Sequence, residues 1–170
     1  MIKQIHNGKL IETDLIVDPS FWERYMTDEW CDSTSKFGQD GLDSTGGKEH
    51  VKMFVQRIPE SMYDRPFLKL LSKIFKEFDI RPEKFICNFY KVLPGGEMPR
   101  HIDKLGNVSI LIPITEITGP IYFDDFEFTY DSMIAIDAKQ PHGVKSPTKE
   151  RIVFHIPLLD TKFQDFGCLK

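Results

Sequence analysis

Four residues in the C-terminal half have the types and spacing for metal chemistry: His101, Asp103, His142 and Arg151. His101-Ile102-Asp103 places an imidazole and a carboxylate two positions apart. On a β-strand that spacing puts both on one face. His142, following Gln140-Pro141, offers a second imidazole. Two neutral imidazoles and one carboxylate form a facial donor set suited to Fe(II), and they leave coordination positions open on the metal. The bound ion keeps a residual positive charge, which a dianionic 2-oxo acid can meet by chelating through its keto-acid end. Its far carboxylate then needs a cation. Arg151 can grip it with two parallel hydrogen bonds, a geometry that lysine cannot match.

These side chains must be carried on neighbouring strands. From Phe85 onward the chain reads as eight short strand-like runs: Phe85–Leu93, Glu97–Asp103, Val108–Thr115, Pro120–Asp124, Glu127–Tyr130, Met133–Asp137, His142–Ser146 and Arg151–Leu158. The breaks between them hold turn residues, beginning with Pro94-Gly95-Gly96. Eight short runs with tight breaks predict a double-stranded β-helix, a jelly roll or cupin-like barrel. In such a barrel the second and seventh strands are neighbours, so His142 faces the His101/Asp103 pair. The fold class expected is mainly β with flanking helices.

Upstream, Phe67, Leu70, Leu71, Ile74, Phe75 and Phe78 step by threes and fours and predict a helix from about Pro66 to Asp79. Asp18 as a cap, Pro19 in the first turn, and Phe21, Trp22, Tyr25 and Met26 on one face predict another over Asp18–Glu29. Cys31–His50, rich in Ser, Thr, Gly and Asp, reads as a long loop that could act as a lid. With the Val51–Ile58 run it is expected to help build a substrate pocket. The organisation expected is one domain over 1–170. Within it, 1–84 gives helical and loop support and the substrate region, 85–158 the jelly-roll core, and 159–170 a tail.

A chain of 170 residues, 41% of them hydrophobic, can bury a core without staples. Cys31, Cys87 and Cys168 form no C-x-x-C pair, which argues against a disulfide framework or cysteine zinc site and for a reducing, cytoplasmic setting. A net charge of -4 makes nucleic acid an unfavoured partner. No apolar run has the form of a signal peptide or the length of a membrane span, so no membrane role is expected.

The series Asn88-Phe89-Tyr90, Pro94-Gly95-Gly96, His101-Ile102-Asp103, Pro141-His142-Gly143 and Arg151 resembles the Fe(II)/2-oxoglutarate-dependent dioxygenase superfamily, over roughly Phe85 to Leu158. The resemblance implies iron on His101, Asp103 and His142, and the distal carboxylate of 2-oxoglutarate on Arg151. It also implies that Tyr90 contacts this co-substrate. It further implies hydroxylation of a C–H bond with release of succinate and CO2, with ascorbate as a stimulating reductant. Many relatives carry a serine or threonine two residues after the arginine, where this chain has Val153. Ser109 is the candidate for the missing second anchor. His155 shares the face of Arg151, which leaves two readings, a residue lining the site or a core histidine, with the second preferred. Asp124 and Asp125 read as a turn. The substrate class expected is a small molecule or a peptide or protein side chain. The alternative is a cupin-like protein that binds a small ligand without oxidising it.

Overall fold

The computed structural model describes residues 1–32, 51–104 and 106–170. Among these, eleven strands form a curled antiparallel sheet, with one α-helix and short 3-10 turns. The strands are β1 (Ile2–His6), β2 (Leu10–Thr13), β3 (Cys31–Asp32), β4 (Val51–Arg57), β5 (Asn88–His101), β6 (Val108–Pro113), β7 (Ile121–Phe123), β8 (Glu127–Phe128), β9 (Ile134–Asp137), β10 (His142–Val144) and β11 (Arg151–Leu158). The helix, α1, is Arg65–Glu77. The larger layer runs β1-β2-β9-β6-β11-β5-β4-β3, and the smaller one β5-β10-β7-β8. The protein is thus mainly β. The lid expected over 31–50 lies outside the described residues, apart from Cys31 and Asp32.

β5 belongs to both layers. Sequence reasoning splits it at Pro94-Gly95-Gly96, yet the strand continues through all three residues. Gly95 adopts φ +79°, which side chains rarely tolerate, and its N–H donates to Ser146 Oγ at 3.0 Å. The chain therefore turns without leaving the sheet. Before the turn, Asn88–Val92 lies between β4 and β11. After it, Met98 and His101 pair with Val144 and His142 of β10.

β11 is buried on both faces, and its period-two alternation sorts the residues by role. Phe154, Ile156 and Leu158 join the core beneath α1, with Phe67, Leu71 and Ile74 of the helix and Phe89 of β5. Arg151, Val153, His155 and Pro157 face the opposite way, into a cavity between the layers. Val153 there meets Leu111, Ile134 and Ile136 of the larger layer, and Ile121 and Phe123 of the smaller.

The N-terminal segment differs from its expected helix-and-loop character. It supplies four strands, and β4 is a full partner of β5. The expected helix over Asp18–Glu29 is a single 3-10 turn, Pro19–Trp22. Asp18 does cap it, accepting from Ser20 N at 2.9 Å. Beyond the turn, Gln56 of β4 captures the chain. Its Oε1 accepts from Thr27 N at 2.8 Å, and its Nε2 donates to Thr27 O at 3.1 Å and Glu29 O at 2.6 Å. Those bonds take backbone groups a longer helix would use. Trp22 still reaches the core, 4.4 Å from the Phe154 ring. The expected tail, 159–170, also packs inward through Phe163 and Phe166, the latter 5.2 Å from Phe78. No described helix is long and apolar enough to cross a membrane.

α1 is fixed at its start by Asp64, whose Oδ1 accepts from Phe67 N at 3.1 Å and from Tyr25 Oη at 2.7 Å. Arg24 pairs with the same carboxylate. Asp64→Ala is expected to lower the urea midpoint of unfolding, with Asp64→Asn recovering part of the loss.

Candidate metal centre

β5 and β10 place His101 and His142 directly opposite each other as a cross-strand pair. Their ring centroids are 4.5 Å apart, and both side chains are buried. Asp103 lies just past the end of β5, not on the strand itself, so the shared-face argument does not place it. It is placed by bonds to the connection before β10. Asp103 N donates to Ala138 O at 3.0 Å, and Lys139 Nζ donates to Asp103 O at 2.7 Å and Lys104 O at 3.0 Å. The result brings one ligand atom from each of His101, Asp103 and His142 within 4.8 Å of one another.

The imidazoles are oriented from behind. His101 Nδ1 donates to Pro99 O and His142 Nδ1 to Gln140 O, each at 2.8 Å. Each bond assigns a proton to Nδ1 and turns Nε2 toward the common centre. His101 Nε2 lies 3.1 Å and His142 Nε2 3.7 Å from Asp103 Oδ1. Burial opposes a charge on His101, but the Asp103 carboxylate outweighs it and raises the His101 pKa above the ordinary histidine value. Burial dominates at His142 and lowers its pKa. Burial alone would raise the Asp103 carboxyl. The hydrogen bond from His101, with the neighbouring His142 and His101 imidazoles, holds it well below the usual carboxylate range.

Ser109 supports the carboxylate. Its Oγ donates to Asp103 Oδ2 at 3.3 Å and lies 2.8 Å from His155 Nε2. A carboxylate only accepts, so the single hydroxyl proton goes to Asp103 and His155 Nε2–H supplies the second bond. His155 is therefore not an ordinary core histidine. It lines the cavity, burial pushes its pKa down to about 4, and its Nδ1 has no partner.

The cavity has a volume of about 480 Å³. Tyr90 lines it, 4.7 Å from the His155 ring, and burial raises its phenol pKa, so the hydroxyl stays protonated as a donor. Arg151 lines it too and is 2% exposed. Its Nη2 donates to Tyr130 Oη at 2.6 Å and its Nε has no partner. No carboxylate among the described residues pairs with it. Tyr130, Lys139 and the bond of His155 to Ser109 escape sequence reasoning, because each depends on contacts between distant segments. Asp124 and Asp125 stay outside the site, paired with Arg100 and Lys9.

No protein-family model and no curated protein matches the chain. Among solved structures it is similar to a prolyl-4-hydroxylase from Pseudomonas putida. The match has 18% identity and a TM-score of 0.50, over 64% of this chain and 72% of that one. A prolyl hydroxylase from Trichoplax adhaerens, in complex with a hypoxia inducible factor peptide fragment, matches at 16% identity and TM-score 0.49, over 64% and 63% of the two chains. A 2OG-Fe(II) oxygenase family oxidoreductase from Burkholderia pseudomallei matches at 14% and 0.47, over 68% and 73%. At these identities the likeness is one of fold.

Gly143 explains part of the Pro141-His142-Gly143 motif. A Cβ there would meet the Tyr122 ring and Met98 O at 2.5 and 2.6 Å. Gly143→Ala should shift β10 and with it His142, weakening Co(II) binding by about tenfold or more while the fold persists, as followed by visible absorption titration. Metal binding at this centre must displace the His101 Nε2 proton. Because that pKa is raised, Co(II) affinity should climb as pH rises from about 6.5, with a proton released per ion, measurable in weakly buffered solution with an indicator dye.

Proposed function

We propose that the protein is an Fe(II)/2-oxoglutarate-dependent oxygenase built on a double-stranded β-helix, hydroxylating a C–H bond of a small molecule or a protein side chain. The observation that carries this reading is Arg151. A guanidinium 2% exposed, without a carboxylate partner among the described residues, opens onto the same cavity as a two-histidine, one-carboxylate cluster. A buried charge left uncompensated is costly, so an anionic ligand is the natural counterpart. The donor set fits Fe(II) in type and in the convergence of its ligand atoms.

His101, Asp103 and His142 would hold the metal. Lys139 and Ser109 steady Asp103 from its backbone and its second oxygen. Arg151, itself held by Tyr130, would bind the distal carboxylate of the keto acid, and the protonated Tyr90 phenol would donate to the same molecule. Fe(II) bound with 2-oxoglutarate would supply the activation of O2, one oxygen atom going to succinate as CO2 leaves and the other into the substrate C–H bond. Leu111, Ile121, Ile136, Val144 and Val153 form apolar walls that limit water around the co-substrate. The fold likeness to the Pseudomonas putida prolyl-4-hydroxylase is in keeping with this reading. A cupin-like binder without oxidative activity would leave the pairing of Arg151 with the cluster unexplained.

Purified protein given Fe(II), ascorbate and 2-oxoglutarate is expected to release succinate, and Asp103→Ala to abolish it. Equal succinate release by Asp103→Ala would overturn the proposal. Arg151→Gln is expected to weaken 2-oxoglutarate by about 30-fold or more in anaerobic titrations, the scale for losing a buried charge pair.

A further inference from the structure

The cavity has a second cationic end. Alternation along β4 directs Met53, Val55 and Arg57 toward it. Arg57 pairs in register with Asn88, and Asn88 with His155. A guanidinium, an amide and an imidazole thus stand in one row across three strands, all lining the cavity. The Asn88 side chain is 8% exposed and has no hydrogen-bond partner among the described residues. Buried amides are normally bonded, and one left open to a cavity points to a ligand.

Arg57, exposed where it lines the cavity, has no carboxylate partner among the described residues. Of the described residues lining the cavity, Asp103 is the one acid, against Arg57, Lys104 and Arg151. The chain as a whole carries -4, so this local excess of positive charge runs against its composition. A cationic cleft with low-dielectric walls concentrates anions. Ile86, Pro157 and Leu159 make the rest of this end apolar.

We propose that Arg57 and Asn88 anchor the substrate, and that the substrate is a small carboxylate with an aliphatic body. The Arg57 guanidinium takes the carboxylate, and the Asn88 amide N–H adds a further donor. The inference rests on the reading of the triad and Arg151 as the iron and co-substrate site. Two carboxylic acids then occupy the cavity, each with its own arginine. The volume of about 480 Å³ is within the range of small-ligand clefts.

The test is saturation-transfer NMR on the Zn(II)-loaded protein with 2-oxoglutarate, comparing leucine with leucinamide and hexanoate with hexanamide. The acids should bind about tenfold more tightly than the amides, roughly 1.4 kcal/mol. Arg57→Gln should erase that difference, and Arg57→Lys should keep part of it. Equal binding of acids and amides overturns the inference, as does binding of neither or a preference that survives Arg57→Gln. So does a loss of 2-oxoglutarate affinity in Arg57→Gln as large as the loss for the acids, which would assign the residue to the co-substrate. The visible charge-transfer band of the anaerobic Fe(II)/2-oxoglutarate complex separates the two readings. An absent band with a preserved acid preference sinks the oxygenase reading alone. A normal band without the preference sinks the substrate inference alone.

Discussion

The antiparallel pairing of β5 with β10 is the constraint on which the rest depends. It sets His101 opposite His142, so the two imidazoles are neighbours by register and need no chance approach of side chains. Carbonyls of Pro99 and Gln140, each two residues before its histidine, then fix the ring orientation. Because the support is local to each strand, the site gains precision from backbone geometry. The third ligand is less rigidly built. Asp103 relies on a loop contact and a lysine, which makes the β9–β10 connection part of the centre.

Much of this was legible in the sequence because strand alternation is a strong and local signal. The run Arg151–Leu158 and the helix beneath it follow from spacing alone, and the structure starts α1 one residue before the expected position. What could not be read depends on competition between segments. Pro94-Gly95-Gly96 looks like a break, but a left-handed glycine and one bond to Ser146 let the strand carry on. The Asp18–Glu29 helix is cut short by Gln56, a residue far away in the chain whose amide claims the backbone. The β1–β4 strands lack clear alternation and gain their state from partners.

The electrostatics of the cavity invert those of the surface. Acids outnumber bases in the chain, yet many described surface acids are matched locally, as Asp124 is by Arg100 and Glu116 by Lys149. Arg151, buried in the cavity, has no carboxylate partner among the described residues. The low dielectric between the two layers strengthens its pull on any anion that enters. The same environment keeps His155 neutral, so its bond to Ser109 orients Asp103 without adding a competing charge.

β11 has a further consequence as a wall one residue thick. Its odd positions face the cavity and its even positions the hydrocarbon beneath the helix. A slip of a single residue would exchange the two sets, pushing Arg151 and His155 into the apolar core and Phe154 into the cavity. The chemistry of the cavity therefore acts as a proofreader of folding: the buried Arg151 guanidinium penalises a one-residue slip, so the alternation that packs Phe154 into the core is the one that turns Arg151 and His155 to the cavity.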